Sequence, residues 1–195
     1  FVVCVNPVLG RTVTQSAGAI TTTDLGVRAG SIDIALNGNT YSQVAAFSSG
    51  SGNALALDTD NTLTTTTIAA DSLGLFLSTS GVATTGGGNI LIDTPQLAIN
   101  QQITSSGTVR LQTVNGVAQS ARILANALGV VATGAGDVVL TTGTNNAATV
   151  AISTAGAANT ISYTDLDDVA VGSVASSGTF TGATGVTTSN GNITL

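Results

Sequence analysis

Apolar residues in this chain come in short alternating runs, most of them opened by a glycine. The pattern stands at Gly30-Ser31-Ile32-Asp33-Ile34, Gly52-Asn53-Ala54-Leu55-Ala56-Leu57 and Gly88-Asn89-Ile90-Leu91-Ile92. It returns at Gly107-Thr108-Val109-Arg110-Leu111, Gly136-Asp137-Val138-Val139-Leu140 and Gly191-Asn192-Ile193-Thr194-Leu195. Alternation puts every second side chain on one face, which is the period of a half-buried strand. Gly, Asn, Ser and Asp break the runs, and these residues favour turns. Shorter runs at residues 25–27, 44–47, 73–77, 96–99 and 169–171 carry the same strand character. Residues 118–128 have a helical flavour, but their counterpart at 14–25 is rich in Thr and Gly, so both are read as strand. The pattern predicts an all-β chain.

The chain also repeats itself. A shift of 106 residues puts Gly30 on Gly136, Ile32 on Val138, Val44 on Val150, Asn53 on Asn159, Leu55 on Ile161 and Ile68 on Val174. At 103 or 104 residues, Gln15 matches Gln119, Gly26 matches Gly129, Phe76 matches Phe180 and Val82 matches Val186. The matches keep their order, and the small changes of shift imply short loop insertions. Such self-similarity predicts tandem modules. One runs over residues 13–116 and a second, incomplete, over 117–195, while residues 1–12 end a preceding coil or module. Duplicated positions such as Leu55 and Ile161, or Ile32 and Val138, are expected to point inward alike.

Two architectures suit many short strands. A pair of tandem immunoglobulin-like β-sandwich domains fits the module length. A parallel β-helix fits the small aliphatic interior, the absence of Trp, and the Gly-led strand start that recurs within a module. The spacings of those starts cluster loosely around multiples of about 20 residues, as solenoid coils do. At about 4.8 Å per coil the chain would form a rod roughly 45 Å long. The parallel β-helix is the reading adopted, with the sandwich pair as the alternative.

Residues 128–143 and the stretch Thr187-Thr188-Ser189-Asn190-Gly191-Asn192-Ile193-Thr194-Leu195 resemble the stalk repeats of filamentous-haemagglutinin-like bacterial exoproteins. The likeness covers nearly the whole chain, but it is one of texture, in degenerate Gly-Asn/Asp-Ile/Val-x-Leu units. It implies a right-handed parallel β-helix on a long secreted surface protein that serves in adhesion or biofilm structure.

Composition narrows the chemistry. There is no His, so a Ser-His or Cys-His nucleophile and an ordinary zinc or haem site are excluded. All four basic residues are Arg, so neither Schiff-base lysine chemistry nor a P-loop lysine exists. A net charge of −6 with scattered Arg11, Arg28, Arg110 and Arg122 gives no footprint for nucleic acid. No apolar run is long enough to span a membrane. Cys4 stands alone and is read as a small buried apolar residue.

Two acidic clusters remain, Asp58 with Asp60 and Asp165 with Asp167 and Asp168. Carboxylates at alternating positions can hold Ca²⁺, but neither cluster has the spacing of an EF-hand loop or a calcium-binding β-roll. They are expected to be solvated, metal-free turn residues, with Ca²⁺ the only cofactor weighed. The paired Asp167-Asp168 superficially resembles that of polygalacturonases, whose Gly-His-Gly motif cannot occur here, so no catalytic residue is assigned. The expected function is a structural module of a secreted cell-surface fibre or adhesin, non-enzymatic and extracellular. The alternative is a calcium- or glycan-binding adhesin domain. Expected partners are further modules of the same chain or identical subunits stacked head-to-tail, covering open β edges at both ends, and glycans.

Overall fold

The computed structural model describes residues 2–4 and 10–195; the side chain of Cys4 and the apolar start at Phe1 lie outside the described residues. The chain winds into a β-solenoid of about eight turns, with no helix among the described residues. The first coil holds β1 (Val2–Cys4) and β2 (Thr12–Thr14), the second β3 (Asp24–Ala29) and β4 (Ser31–Ile34), the third β5 (Gln43–Ser48) and β6 (Leu55–Asp58). The fourth opens with β7 (Leu63–Thr65) and leaves the stack as a hairpin, β8 (Thr67–Ile68) and β9 (Thr79–Ser80). It returns through β10 (Val82–Thr84) and β11 (Ile90–Thr94). Then come β12 (Leu97–Ile99), β13 (Ile103–Thr104) and β14 (Thr108–Thr113) in the fifth coil, and β15 (Val117–Gln119) with β16 (Ile123–Ala132) in the sixth. The seventh holds β17 (Val138–Leu140) and β18 (Asn146–Ala157). The eighth holds β19 (Ile161–Tyr163), β20 (Ala170–Val171), a second hairpin of β21 (Ser173–Val174) and β22 (Ala183–Thr184), and β23 (Val186–Ser189). A last strand, β24 (Ile193–Thr194), stacks on β19.

All six Gly-led runs form strands. Every ladder of the stack is parallel, and only the two hairpins pair antiparallel. That excludes the sandwich pair, whose sheets are antiparallel. The stack also runs without a break through residues 116 and 117, because β15 pairs with β12 on one side and β17 on the other.

Alternation supplies the core. Ile32, Leu55, Ile90, Val109, Leu128 and Val150 are register partners in successive coils and are all buried. Leu63, Leu97, Val117, Val138 and Ile161 form a second buried column, and Val27, Ala46, Val82, Ile103 and Ile123 a third. Small aliphatic side chains stacked on their like fill most of the interior, with Tyr41 and Tyr163 the large aromatics among them. Partners in adjacent coils lie 19 to 24 residues apart (Val13 to Ile32, Val2 to Gly26). The two coils with hairpins are longer: 35 residues from Leu55 to Ile90 and 34 from Ile152 to Val186. At the corners the coils come too close for side chains. A Cβ on Gly30 would overlap the backbone of Gly10, which is why a glycine opens the strand.

The duplication has a geometry that the one-dimensional match does not convey. Ile32, Val138, Leu55 and Ile161 are all buried, as expected. Yet Ile32 and Leu55 belong to the first column and Val138 and Ile161 to the second. Leu128, the counterpart of Leu25, stands in the column of Ile32. The second copy is therefore turned about the rod by one strand position, and its hairpin emerges on a different face.

Residues 73–77, read as a strand, instead form the tip of the first hairpin. Phe76 turns back onto the rod while Leu73, Leu75 and Leu77 stay exposed. The ring of Phe76 packs on β3 over Gly26, and Phe180 of the second hairpin packs over Gly129. Phe180 gathers Val131, Ala151, Val174 and Ala183 into a small apolar cluster outside the solenoid. Arg28 ties down the first hairpin by donating to Thr79 at 3.0 Å while lying over the Phe47 ring.

Candidate functional site

The second hairpin does more than cover its own coil. Its tip reaches back over two earlier coils and roofs a groove of about 280 Å³ on the outer face of β4, β6, β11 and β14. Arg110 Nε donates to the carbonyl of Ala175 at 3.1 Å, and the backbone N of Thr181 donates to Gln112 Oε1 at 3.2 Å. The Thr179 side chain lies near enough to the Asp93 carboxylate to lower its pKa, and Gly178 rests on Leu91. The floor is apolar, from Ala56 and Leu91; the rim is polar, from Asp33, Asn53, Asn89 and Arg110. Asn89 Nδ2 donates to Asn53 Oδ1 at 3.2 Å, and Asn89 Oδ1 accepts from Thr108 N at 2.8 Å, so the two amides are tied to each other and to the next coil. Burial lowers the Arg110 pKa from its ordinary value, a consequence of the roof above it. The groove therefore offers one cation, one carboxylate, amides and an apolar floor within one small volume.

Beside it runs an acidic rung. Asp58 and Asp93 are direct register partners on β6 and β11, so their side chains stack at the inter-strand spacing. Asp58 is only 7 % exposed and belongs to a strand, which corrects the expectation of a solvated turn. Burial pushes its carboxyl up to about 6, with Asp93 and Asp60 adding repulsion. Burial also raises Asp93, partly offset by the Thr179 side chain. Asp60 is exposed, on the turn that follows.

The other cluster is a turn. Asp165 Oδ2 accepts from the backbone N of Ala147 at 3.1 Å and from the Tyr163 hydroxyl, while its Oδ1 accepts from Leu166 N at 2.9 Å. Asp167 Oδ2 accepts from Asn146 Nδ2 at 3.1 Å, and Asp167 and Asp168 are exposed. In the first copy Thr59 holds the place of Asp165: its Oγ1 accepts from Tyr41 N at 3.1 Å. The carboxylate thus replaces a hydroxyl in the same job of tying one coil to the next. Among the described residues no three His, Cys, Asp or Glu side chains are grouped as a metal ion would need.

Each copy also carries a buried amide node. Asn39 Oδ1 accepts from Ile20 N and Gln15 Nε2, both at 2.8 Å, while its Nδ2 donates to Gln15 Oε1 and to the carbonyls of Leu36 and Asp58. Asn145 repeats the pattern with Ile123 N, Gln119 and the carbonyls of Leu140 and Thr164. These nodes satisfy backbone groups that a corner would otherwise bury unpaired.

Sequence reasoning reached Asp58, Asp60, Asp165, Asp167 and Asp168 but missed Asp33, Asp93 and Arg110. Coil register brings Asp33 and Arg110 onto one outer column, and a hairpin some 65 residues from Arg110 folds back over it. The match of Phe180 to Phe76 was present in the sequence, but it showed neither the hairpin nor where its tip lands. Comparison of the chain with family models, curated proteins and solved structures returns no match.

Proposed function

We propose that this chain is a structural module of a secreted bacterial cell-surface fibre of the filamentous-haemagglutinin-like kind, with the solenoid itself as the working object. The observation that carries the reading is the unbroken parallel stack, in which one buried aliphatic column passes from Ile32 through to Val150 across both copies. Each coil adds about 4.8 Å and shares backbone hydrogen bonds with its neighbours, so the module works as a stiff spacer. Two hairpins on different faces then present surfaces outward. The lack of Lys leaves few sites for basic-specific proteases, which suits an exposed extracellular life. Antibodies raised against this chain should decorate fibres on intact producing cells. Labelling only after permeabilisation would overturn the reading.

The groove beneath the second hairpin favours a further role as a glycan holder on the same rod. Its volume suits one or two sugar rings, Asp33, Asn53 and Asn89 offer hydroxyl partners, and Leu91 offers an apolar patch for a ring face. A glycan array should show binding that Arg110→Ala and Asp33→Asn abolish. Retained binding in both variants would place the glycan elsewhere or nowhere.

A further inference from the structure

Register makes the groove beneath the second hairpin a trough with two unlike ends. Asp33, Ala56, Leu91 and Arg110 are partners on successive strands, so they form one outward column along the rod. Three inter-strand spacings put the backbones of Asp33 and Arg110 about 14 Å apart. That exceeds the screening length of about 8 Å at physiological salt, and Ala56 and Leu91 lie between, so the two charges do not neutralise each other. The next rung beyond Arg110 is Gly129, over which the Phe180 ring sits, and the carbonyl of Ala175 meets Arg110 itself. The hairpin therefore closes the trough at its cationic end. At the other end Asp33 pairs with Thr14, and both are exposed, so the trough runs out there onto open surface.

The fold uses only part of the Arg110 guanidinium. Its Nε donates to Ala175, whereas its Nη donors have no acceptor among the described residues. Burial is what lowers its pKa, and no carboxylate of the chain acts against it. A partly buried cation without a counter-ion is costly until an anion pairs with it. The planar guanidinium fork suits the two oxygens of a carboxylate. Beside this cation lie the Asn53 and Asn89 amides and the apolar surface of Leu91 and Ala56.

We propose that the trough takes the end of a glycan whose terminal ring carries a single carboxylate, held by Arg110. The proposal rests on the glycan reading of the groove and adds to it a charge class and a direction. The acidic ring sits at the closed end, and the next ring covers Leu91 and Ala56. Its hydroxyls meet Asn53, Asn89 and Asp33, and the rest of the glycan leaves past Thr14. An acidic ring in mid-chain cannot reach Arg110, because the hairpin bars the way onward. Asp33 and the net charge of −6 repel further acids, so polyuronates and sulfated glycans are poor ligands.

A glycan array with neutral, singly acidic and multiply acidic members tests this. Each single carboxylate is presented on a terminal or an internal ring, and free or as its methyl ester. On the wild-type chain, free terminal acids should bind at least about tenfold more tightly than their esters. Arg110→Gln should lose that difference, with hydrogen exchange in residues 173–184 checking that the hairpin stays seated. Arg110→Lys keeps the charge but not the fork, so it should still prefer the acid at lower affinity. The comparison of acid with ester needs no variant, so it decides the matter even if a substitution frees the hairpin. Binding confined to neutral members, equal binding of acid and ester, or preference for internal or multiple acids would overturn the proposal and leave the glycan reading standing. So would an Arg110→Gln chain with a seated hairpin that still prefers the acid. Binding to no member would overturn both.

Discussion

The ring of Phe180 lies so close over Gly129 that a Cβ there would come within 2.7 Å of the ring Cζ. Phe76 and Gly26 repeat the relationship at 2.8 Å. The missing side chain on an outward strand position makes the seat, and the ring fills it. Phe180→Ala should therefore release the hairpin at a cost of about 3 kcal/mol, within the range for an emptied aromatic site. Hydrogen exchange checks this: protection should fall in residues 173–184 and hold in the coils beneath. Gly129→Ala should give the same local loss by displacing the ring.

The amide nodes should be costlier than their size suggests. Asn39→Ala and Asn145→Ala each leave backbone groups buried and unpaired, so each should destabilise the chain by about 2–3 kcal/mol. Chemical denaturation measures this, and similar losses at the two sites would reflect their shared geometry.

The two buried tyrosines make opposite predictions. The Tyr41 hydroxyl is buried without a hydrogen-bond partner, whereas the Tyr163 hydroxyl donates to Asp165. Tyr41→Phe should be neutral or stabilising by up to about 1 kcal/mol, and Tyr163→Phe should cost about 2 kcal/mol. Thermal melts of the two variants side by side decide it.

The acidic rung sets a pH dependence. A carboxyl raised to about 6 in the folded chain binds its proton there more tightly than in the unfolded chain. Its contribution is therefore most favourable at low pH and is lost as pH rises through about 4 to 6. The melting temperature at pH 5 should exceed that at pH 7.5. Asp58→Asn should flatten this difference and raise the melting temperature at pH 7.5.

Much of the fold was legible because alternation and glycine punctuation are local. The six Gly-led runs became strands because each needs only its own residues to define an inward and an outward face. The odd spacing of 29 residues between Gly107 and Gly136 held a clue that one dimension could not decode. It marks the place where the second copy starts one strand position farther round the rod. The apolar run of residues 73–77 misled because its leucines are exposed on a hairpin tip and only Phe76 is buried on the outer face. The groove was illegible for a related reason: Asp33 and Arg110 are single charged residues on separate strands, and only register and a distant hairpin unite them.

The central claim is one continuous solenoid through both copies, and a distance across their junction tests it most directly. Thr64, Ala98, Ala118, Val139 and Ser162 are successive register partners on one outward column. Spin labels at Thr64 and Ser162 are thus separated by four rungs. Double electron–electron resonance should give a narrow distribution near about 19 Å, four inter-strand spacings. A broad distribution, or one centred well beyond about 30 Å, would mean that the copies fold as separate bodies and would contradict the account.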